Sequence, residues 1–452
     1  MVPHKTRTET VTIVLGILIF IGIVLRFYHL DFNSIWLDEA ATLSLSNVPI
    51  PDIWARMASG GEVNPPLFYI LEHFMIQMFG TSEWVLRFLS AAFGVLTIPA
   101  IYLTGKEFWD KNVGLVAAGL VTFSPFLIYY SQEARAFSLV LLLCTGLMYF
   151  FLKKNWLMFG VVAALATYTH FNTLALIGAL VVYALVQERH NLKPIAKGLI
   201  VWIALSIPIG IVFIRIFSER IATAPSFGMK GVDLITRTFT ELTGYEWYSV
   251  LVLLGLFTIG MAVLWLNKDK SKAILITWIL LITITASIVL SYKMPMMPRY
   301  LIILAVPLYL GIAMASVGIS RSISNKHNQK VCAVLVLLIA VIAVPYYTQY
   351  YTYYSKEDWR GISKDLQIKQ NILPGDVVVV PGYIKGPLGY YYSSPLKEAT
   401  TVEELSAIPP GSYYIVTGDI QSADPSGKSV QWLNANTRTV KNYGGVFLLK
   451  GV

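Results

Sequence analysis

Long apolar runs separated by short polar loops fill most of this chain. Only 13% of its 452 residues are charged, whereas about a quarter of the residues in a soluble domain are charged. A chain in lipid must satisfy its backbone hydrogen bonds internally, so these runs predict a bundle of membrane-spanning helices. About eleven spans are expected, near residues 11–30, 85–105, 113–130, 135–152, 156–170, 171–187, 197–217, 248–266, 273–291, 299–318 and 331–347.

Two of these runs need interpretation. The first is too long for a signal-peptide core and no small-residue cleavage site follows it, so we expect a retained helix. The stretch 156–187 is too long for one span. Polar residues at its middle, Tyr168-Thr169-His170-Phe171-Asn172, predict a hairpin of two helices.

Basic residues in the loops predict the orientation of the helices. Under the eleven-span arrangement they fall on one side, which the positive-inside rule makes cytoplasmic. They are Lys5, Arg7, Lys106, Lys111, Lys153, Lys154, Arg189, Lys193, Lys197, Lys268, Lys270, Lys272, Arg321, Lys326 and Lys330. Because they are scattered between apolar runs, the net charge of +9 indicates topology and not nucleic-acid binding. We expect a multi-pass plasma or inner membrane protein with a cytoplasmic N-terminus and an extracytoplasmic C-terminal region.

The sequence predicts two domains. Residues 1–347 form the membrane domain, and its first outer loop, residues 31–84, suits amphipathic helices lying in the interface. A short extra span over residues 67–79 is the alternative for part of that loop. Residues 348–452 are more polar, and the apolar runs within the stretches 375–381 and 412–416, flanked by turn residues, predict strands of a small extracytoplasmic α/β domain.

An acidic pair, Asp38-Glu39, follows the first span on the predicted outer side. Adjacent carboxylates point in different directions, so one can face a reaction while the other contacts a second helix. An Asp that accepts a proton from a hydroxyl group serves a transfer reaction as general base. The alternative is an ordinary start of a helix, where acidic residues in the first turn are favoured by the helix dipole.

Three further polar clusters are predicted at the outer ends of the spans. Arg26 ends the first span, Glu133 and Arg135 lie in a very short outer loop, and His170 lies with Asn172 at the predicted hairpin turn. We assign the first four of these residues to substrate binding, with caps and structural hydrogen bonds as the alternative. Metal binding by a lone His is the less favoured interpretation.

Two cations, Lys293 and Arg299, lie at the outer membrane edge, where the positive-inside rule does not place them. A guanidinium group binds phosphate oxygens with two parallel hydrogen bonds, so Arg299, with Lys293 and Tyr300, is predicted to bind a lipid-linked phosphate. The alternative is that the cations extend towards lipid headgroups. Asp358-Trp359-Arg360 begins the C-terminal domain and is interpreted as a helix start.

Several segments together resemble a known superfamily. They are Leu25-Arg26, Ile35-Trp36-Leu37-Asp38-Glu39-Ala40, Asn64-Pro65-Pro66-Leu67-Phe68-Tyr69, Gln132-Glu133-Ala134-Arg135, Thr169-His170, Pro298-Arg299-Tyr300-Leu301 and Asp358-Trp359-Arg360. In this order they resemble the GT-C membrane glycosyltransferases that use polyprenyl-phosphate sugars, which include the protein O-mannosyltransferases and the aminoarabinose transferase of lipid A. The likeness covers most of residues 20–365 and is strongest for the bacterial and archaeal branch.

The resemblance implies the fold, the activity and the site residues. The expected fold is an α-helical polytopic GT-C-like membrane domain with a small C-terminal α/β domain. The expected activity is inverting transfer of one sugar from a polyprenyl-phosphate carrier to a hydroxyl group of a glycan, lipid or protein acceptor. Asp38 would be the catalytic carboxylate, Glu39 a supporting one and Arg299 a phosphate contact. Residues 218–247 form only a modest loop, without a mannosyltransferase-type insertion, which disfavours a protein acceptor.

No cofactor is predicted, because basic side chains suffice to stabilise a departing lipid phosphate. A divalent metal held by Glu39 or Glu133 with His170 stays open as an alternative. Two other functions also stay open: a transporter or flippase for lipids or saccharides, and a non-catalytic envelope assembly protein. Charges gathered at the outer boundary, and the lack of an internal repeat, favour the enzyme.

Overall fold

A computed structural model gives the fold of residues 4–60, 62, 64–187, 189, 191–222, 227–268, 270–323, 328–353, 355–368 and 375–452. Lys326, one of the basic residues used to predict the orientation, lies outside these described residues. The α-helices are α1 (His4–Phe27), α2 (Leu37–Ser46), α3 (Ile50–Ala58), α4 (Leu67–Phe79), α5 (Glu83–Phe108), α6 (Lys111–Phe123), α7 (Pro125–Ser131), α8 (Phe137–Leu152), α9 (Trp156–Thr167), α10 (Thr173–Gln187), α11 (Leu192–Ala222), α12 (Gly231–Leu242), α13 (Trp247–Leu266), α14 (Ser271–Ser291), α15 (Ala305–Ile323), α16 (Asn328–Thr352), α17 (Trp359–Ile368), α18 (Lys385–Tyr391), α19 (Val402–Ser406), α20 (Ile420–Ala423) and α21 (Lys428–Asn436).

Seven helical segments of the described chain are long and apolar enough to cross a membrane. They are α1, α5, α11, α13, α14, α16, and α15 together with the 3₁₀ helix Pro298–Leu304 that precedes it. The bent pair of α6 and α7 is an eighth candidate, and the apolar helices α4, α8, α9 and α10 are shorter. The polytopic helical fold is confirmed, while the number of eleven spans remains a prediction.

The breaks between helices follow local sequence signals. The predicted break at residues 168–172 is confirmed, because α9 ends at Thr167 and α10 begins at Thr173. The single span expected near 113–130 is instead two helices bent by 59°. Pro125 has no N–H group to continue α6, and the hydroxyl of Ser124 accepts a hydrogen bond from the N–H of Leu127 at 3.3 Å, which starts α7.

The described chain forms two compact units. The first, which we call the membrane unit, contains residues 1–28, 48–79 and 85–348. The second contains residues 29–47, 80–84 and 349–452, and we call it the outer unit after the side of the membrane that the sequence predicts for it. Thus α2, which carries the acidic pair, belongs to the same unit as the C-terminal residues. The predicted domain boundary at residues 347 and 348 was based on the change of composition alone and remains a prediction.

Close helix packing forms the core of the membrane unit. In α15 and the 3₁₀ helix before it, 89% of the most apolar stretch is buried inside the protein. Helix α13 lies directly against α15, since a Cβ atom added at Gly260 would lie only 1.9 Å from the carbonyl oxygen of Gly311. Small residues allow such approach of helix backbones in membranes, where van der Waals packing stabilises helix pairs.

The outer unit contains one mixed sheet of five strands, in the order β2-β1-β3-β5-β4. The strands are β1 (Val377–Val380), β2 (Lys397–Glu398), β3 (Tyr413–Thr417), β4 (Thr437–Tyr443) and β5 (Val446–Gly451). Strand β1 pairs in parallel with β2 and β3, while β3–β5 and β4–β5 are antiparallel. Side chains of β1 alternate between two apolar clusters, so both faces of the sheet are covered. The predicted small α/β domain is confirmed.

Helices occur in two of the loops between spans, in residues 31–84 as predicted and in residues 218–247 against expectation. Residues 31–84 contain α2, α3 and α4 before α5 begins at Glu83. Residues 218–247, expected to be a modest loop, contain α12, whose one face is buried and whose other face is exposed. Its N-terminal end is fixed by the N–H of Gly231, which donates to the hydroxyl of Ser291 at 2.8 Å.

Candidate active site

The acidic pair lies in the first turn of α2, within the outer unit. Glu39 is completely buried and Asp38 is half-buried. The Nζ atom of Lys356 lies 3.6 Å from Oε2 of Glu39, and the N–H of Trp36 donates to the same oxygen at 3.4 Å. The ammonium group also lies 5.3 Å from the centroid of the Trp36 ring. Glu39 therefore lies on the buried face of α2, while the adjacent Asp38 is more accessible.

Residues 355–360, which we call the clasp, include the start of α17 and contact the residues that precede α2. The N–H of Ser355 donates to Oδ1 of Asn33 at 2.9 Å, and the N–H of Arg360 donates to the hydroxyl of Ser34 at 3.1 Å. The Oδ1 atom of Asp358 accepts from the N–H of Gly361 at 2.8 Å, where it caps α17. The clasp thus binds Asn33 and Ser34, which precede α2, through backbone and side-chain hydrogen bonds.

Arg360 is the centre of a second set of contacts in the outer unit. Its Nη2 atom donates to Oε1 of Glu83 at 2.6 Å and to the carbonyl oxygen of Asp31 at 2.8 Å. The hydroxyl of Tyr391 donates to the same Glu83 oxygen and accepts from the N–H of Ile35 at 2.9 Å. Burial and the hydrogen bond to Glu83 raise the pKa of Tyr391 well above its ordinary value, so the phenol keeps its proton. The predicted helix start at Asp358-Trp359-Arg360 is confirmed, and its side chains also hold the loop before α2.

A cavity of about 350 Å³ lies within the membrane unit. Three segments that carried the family resemblance contribute to its wall: Asn64-Pro65, His170 with Asn172, and Tyr300. The N–H of Leu67 donates to the carbonyl oxygen of Tyr168 at 3.0 Å, which holds the first two segments together. Most of the remaining wall is apolar and includes Phe213, Phe217, Ala286, Leu290, Met294 and Ile303. The cavity therefore combines a long apolar lining with a small polar part.

Arg299 lies beside the polar part of this cavity. Its guanidinium carbon is 5.7 Å from the ring centroid of Tyr300 and 5.8 Å from that of Phe137. The Nδ1 atom of His170 accepts from the N–H of Asn172 at 3.2 Å, which leaves the proton of the neutral ring on Nε2. His170 lies in the turn between α9 and α10, and burial, aided by the charges of Arg135 and Arg299, lowers its pKa to about 3. The ring is thus a neutral donor at ordinary pH.

The structure brings Arg299, Tyr300, His170 and Arg135 together but places the other predicted residues differently. Lys293 is exposed just after α14 and precedes Met294, which lines the cavity. Arg26 is fully buried, and its Nη2 atom donates to the carbonyl oxygen of Val121 at 2.7 Å. This contact satisfies a carbonyl near the break after α6 and indicates a packing role. The predicted substrate contact of Arg26 remains a prediction.

Glu133 is buried in the membrane unit, near residues that the sequence did not indicate. Its charge acts on Tyr245, and so does the charge of Glu241 in α12. Glu241 accepts from Nε of Arg237 at 2.7 Å, and burial raises its pKa although Arg237 and Arg299 oppose the shift. An Arg-Glu pair four residues apart in an outer loop was the available sequence signal for this helix.

A metal site formed by Glu39 or Glu133 with His170 was the alternative to a site without a cofactor. Within the part of the chain that the structure describes, no three side chains of His, Cys, Asp or Glu gather closely enough to hold a metal ion. The prediction that no cofactor is needed stays a prediction.

Comparison with known proteins was informative at the level of fold. The family described as dolichyl-phosphate-mannose-protein mannosyltransferase matches residues 63–214. The structure is similar to that of ArnT from Cupriavidus metallidurans bound to undecaprenyl phosphate, with a TM-score of 0.62, 14% sequence identity and coverage of 98% of each chain. The chain has the GT-C fold. The resemblance inferred from the sequence is thereby confirmed at the level of the fold.

A more distant GT-C structure agrees. The archaeal oligosaccharyltransferase AglB from Archaeoglobus fulgidus, in complex with an inhibitory peptide and a dolichol-phosphate, has a TM-score of 0.51 and 14% identity, and the match covers 92% of this chain and 70% of that one. No curated protein sequence matches the chain. The sequence analysis did not identify Lys356, Glu83 and Tyr391 as contacts of residues 31–39, because they are far from that segment in the sequence.

Proposed function

We propose that the chain is an inverting glycosyltransferase that moves a sugar from a polyprenyl-phosphate carrier to a hydroxyl acceptor on the outer face of the membrane. The observation that carries this proposal is the cavity of the membrane unit. Three separate segments of the family pattern meet at its polar part, beside Arg299, while its remaining wall is apolar. A ligand with one phosphate group and a long hydrocarbon chain matches that division.

The carrier phosphate is proposed to bind next to Arg299, with Tyr300 and the Nε2 proton of His170 as further donors. Arg299 carries a fixed positive charge, because a guanidinium group does not lose its proton in proteins. Exposed Lys293 would add a second charge as the carrier enters from the bilayer. ArnT was solved with undecaprenyl phosphate and AglB with a dolichol-phosphate, and both ligands belong to this chemical class.

Asp38 is proposed as the general base. It would take the proton of the acceptor hydroxyl while that oxygen attacks the anomeric carbon of the sugar. The bond from this carbon to the phosphate oxygen breaks, and the phosphate leaves with the electron pair, stabilised by Arg299 and Lys293. One displacement of this kind inverts the anomeric centre. Glu39 is proposed to have a supporting role, because its carboxylate forms an ion pair with Lys356.

The assignment of the base is tested with Asp38→Asn. Membranes that contain the full chain are supplied with a panel of radiolabelled undecaprenyl-phosphate hexoses and pentoses, and with extracted envelope glycans and lipids. Removing a general base is expected to lower the transfer rate by about 10²–10⁴-fold. The matched control is Asp52→Asn, because Asp52 is an exposed carboxylate in the same outer loop and should transfer normally. Full activity of Asp38→Asn would eliminate the proposed base.

The phosphate contact is tested by binding. Arg299→Ala is expected to weaken binding of undecaprenyl phosphate by about 10- to 100-fold, since charge-assisted hydrogen bonds contribute about 1.5–3 kcal/mol. Arg321→Ala is the control, because Arg321 ends the same helical segment at its other end. Unchanged binding by Arg299→Ala would remove this role. Carrier-linked sugar that crosses vesicle membranes without any transfer would favour the alternative of a flippase.

A further inference from the structure

The Glu39–Lys356 ion pair is closed to solvent on both sides. The side chain of Glu39 has no exposed surface and that of Lys356 is 5% exposed. Desolvating each charge costs several kcal/mol, so such a pair adds little net stability compared with apolar residues of the same size. Separating two opposite charges inside the protein is unfavourable, so the pair opposes movements that part Glu39 from Lys356. The pair therefore suits a role in orientation.

Lys356 is itself held in place by the clasp. Ser355 bonds to Asn33 on one side of it, and on the other side the N–H of Asp358 donates to the carbonyl oxygen of Tyr443 at 3.0 Å. Tyr443 ends β4, so this bond connects the clasp to the edge of the sheet. The backbone on both sides of Lys356 is thus hydrogen-bonded to other parts of the outer unit.

Helix α2 has little freedom to rotate about its axis. Glu39 is bound to Lys356, which comes from outside the helix, whereas its contact with the N–H of Trp36 lies within the first turn of α2 itself. Behind the helix, α18 packs so closely that a Cβ atom added at Gly386 would lie 3.3 Å from the Cβ atom of Ala40. Because Asp38 is the next residue in the same helical turn, the direction of its carboxylate is set by the direction of Glu39. A rotation that released Glu39 would also displace Asp38.

We propose that Lys356 is a positioning residue that fixes the carboxylate of Asp38 through the buried Glu39. This inference rests on the proposed function, in which Asp38 is the base. Misplacing a reacting group by about 1 Å can cost about 10²-fold in rate. Lys356 lies outside every segment considered for substrate binding, so it should affect the rate of transfer and leave the donor affinity unchanged.

Kinetics of the full chain in membranes test this, using whichever undecaprenyl-phosphate sugar of the panel supports transfer. Lys356→Met is expected to lower kcat by about 10- to 100-fold with donor KM changed less than about threefold. Lys356→Arg should restore most of kcat. Lys385→Met removes an exposed ion pair of the same unit and should have full activity.

Hydrogen exchange supplies a readout that does not depend on transfer. Backbone amides of residues 37–46 should exchange faster in Lys356→Met than in Lys385→Met, and should return towards the wild-type rate in Lys356→Arg. A raised donor KM at unchanged kcat would overturn the inference in favour of a direct phosphate contact. Unchanged kcat together with unchanged exchange would overturn it as well. If Asp38→Asn were fully active, the proposed function would fail, whereas the exchange result would still show whether Lys356 fixes α2.

Discussion

Replacing Arg360 by leucine should loosen the outer unit by an amount that can be worked out from its contacts. Arg360→Leu removes the 2.6 Å bond to Glu83 and the 2.8 Å bond to the carbonyl oxygen of Asp31. The Glu83 side chain is only 16% exposed, so its carboxylate would lose its cation while remaining largely away from water. Tyr391 would still donate to it, which limits the loss.

The magnitude lies between two known limits. Breaking a buried ion pair costs about 3–5 kcal/mol, whereas an exposed pair contributes about 0.2–1 kcal/mol. Because the Arg360 side chain is 32% exposed, solvent screens part of the interaction, and we expect a loss of about 2 kcal/mol in local stability. One factor of ten in an equilibrium constant corresponds to about 1.4 kcal/mol, so local opening should become about 30-fold more frequent.

Hydrogen exchange of the purified full chain measures this opening directly. Amides of residues 33–39 and of α17 should exchange about 30-fold faster in Arg360→Leu. The control is Lys385→Leu, since Lys385 pairs with Glu398 at 2.9 Å but both side chains are about half exposed. Its effect should stay below about threefold, because exposed pairs contribute little. Exchange of Arg360→Leu within threefold of wild type, or equal to that of Lys385→Leu, would refute the reasoning.

Three further predictions concern packing, the cavity and pH. Gly260→Ala should lower the thermal unfolding midpoint in detergent, because its Cβ atom would meet the carbonyl of Gly311, whereas Gly255→Ala in the same helix meets no atom within 4 Å and should not lower it. Ala286→Trp should fill the cavity and weaken undecaprenyl phosphate binding at least about tenfold. Hydrogen bonds from serine groups lower the pKa of Asp424 to about 2, so its stabilisation is present above about pH 4 and is lost as the pH falls towards 2. The unfolding midpoint of Asp424→Asn should therefore change less than that of wild type between pH 5 and pH 2.5.

Much of the fold was predictable because its determinants are local. Apolar length predicts spans, and polar residues 168–172 mark a real break between helices. The bend at Pro125 was missed since the apolar residues on both sides of it continue without interruption. Helix α12 was missed for the opposite reason, because its polar residues resemble those of a loop until one face is seen to be buried. Composition registers how apolar a segment is but not which side of it packs.

The contacts that hold the candidate site join residues far apart in the sequence, so they could not be predicted from local patterns. Segment order predicted that Asp38 and Arg299 matter, yet the partners that hold the acidic loop come from the other end of the chain. A buried carboxylate is normally paired with a cation. The sequence, however, does not show that Glu39 is buried, and it does not show which of the 35 basic residues lies beside it. The structure identifies Lys356 as the cation beside Glu39. Glu39 is held by a buried cation, and its neighbour in the same turn is the proposed base.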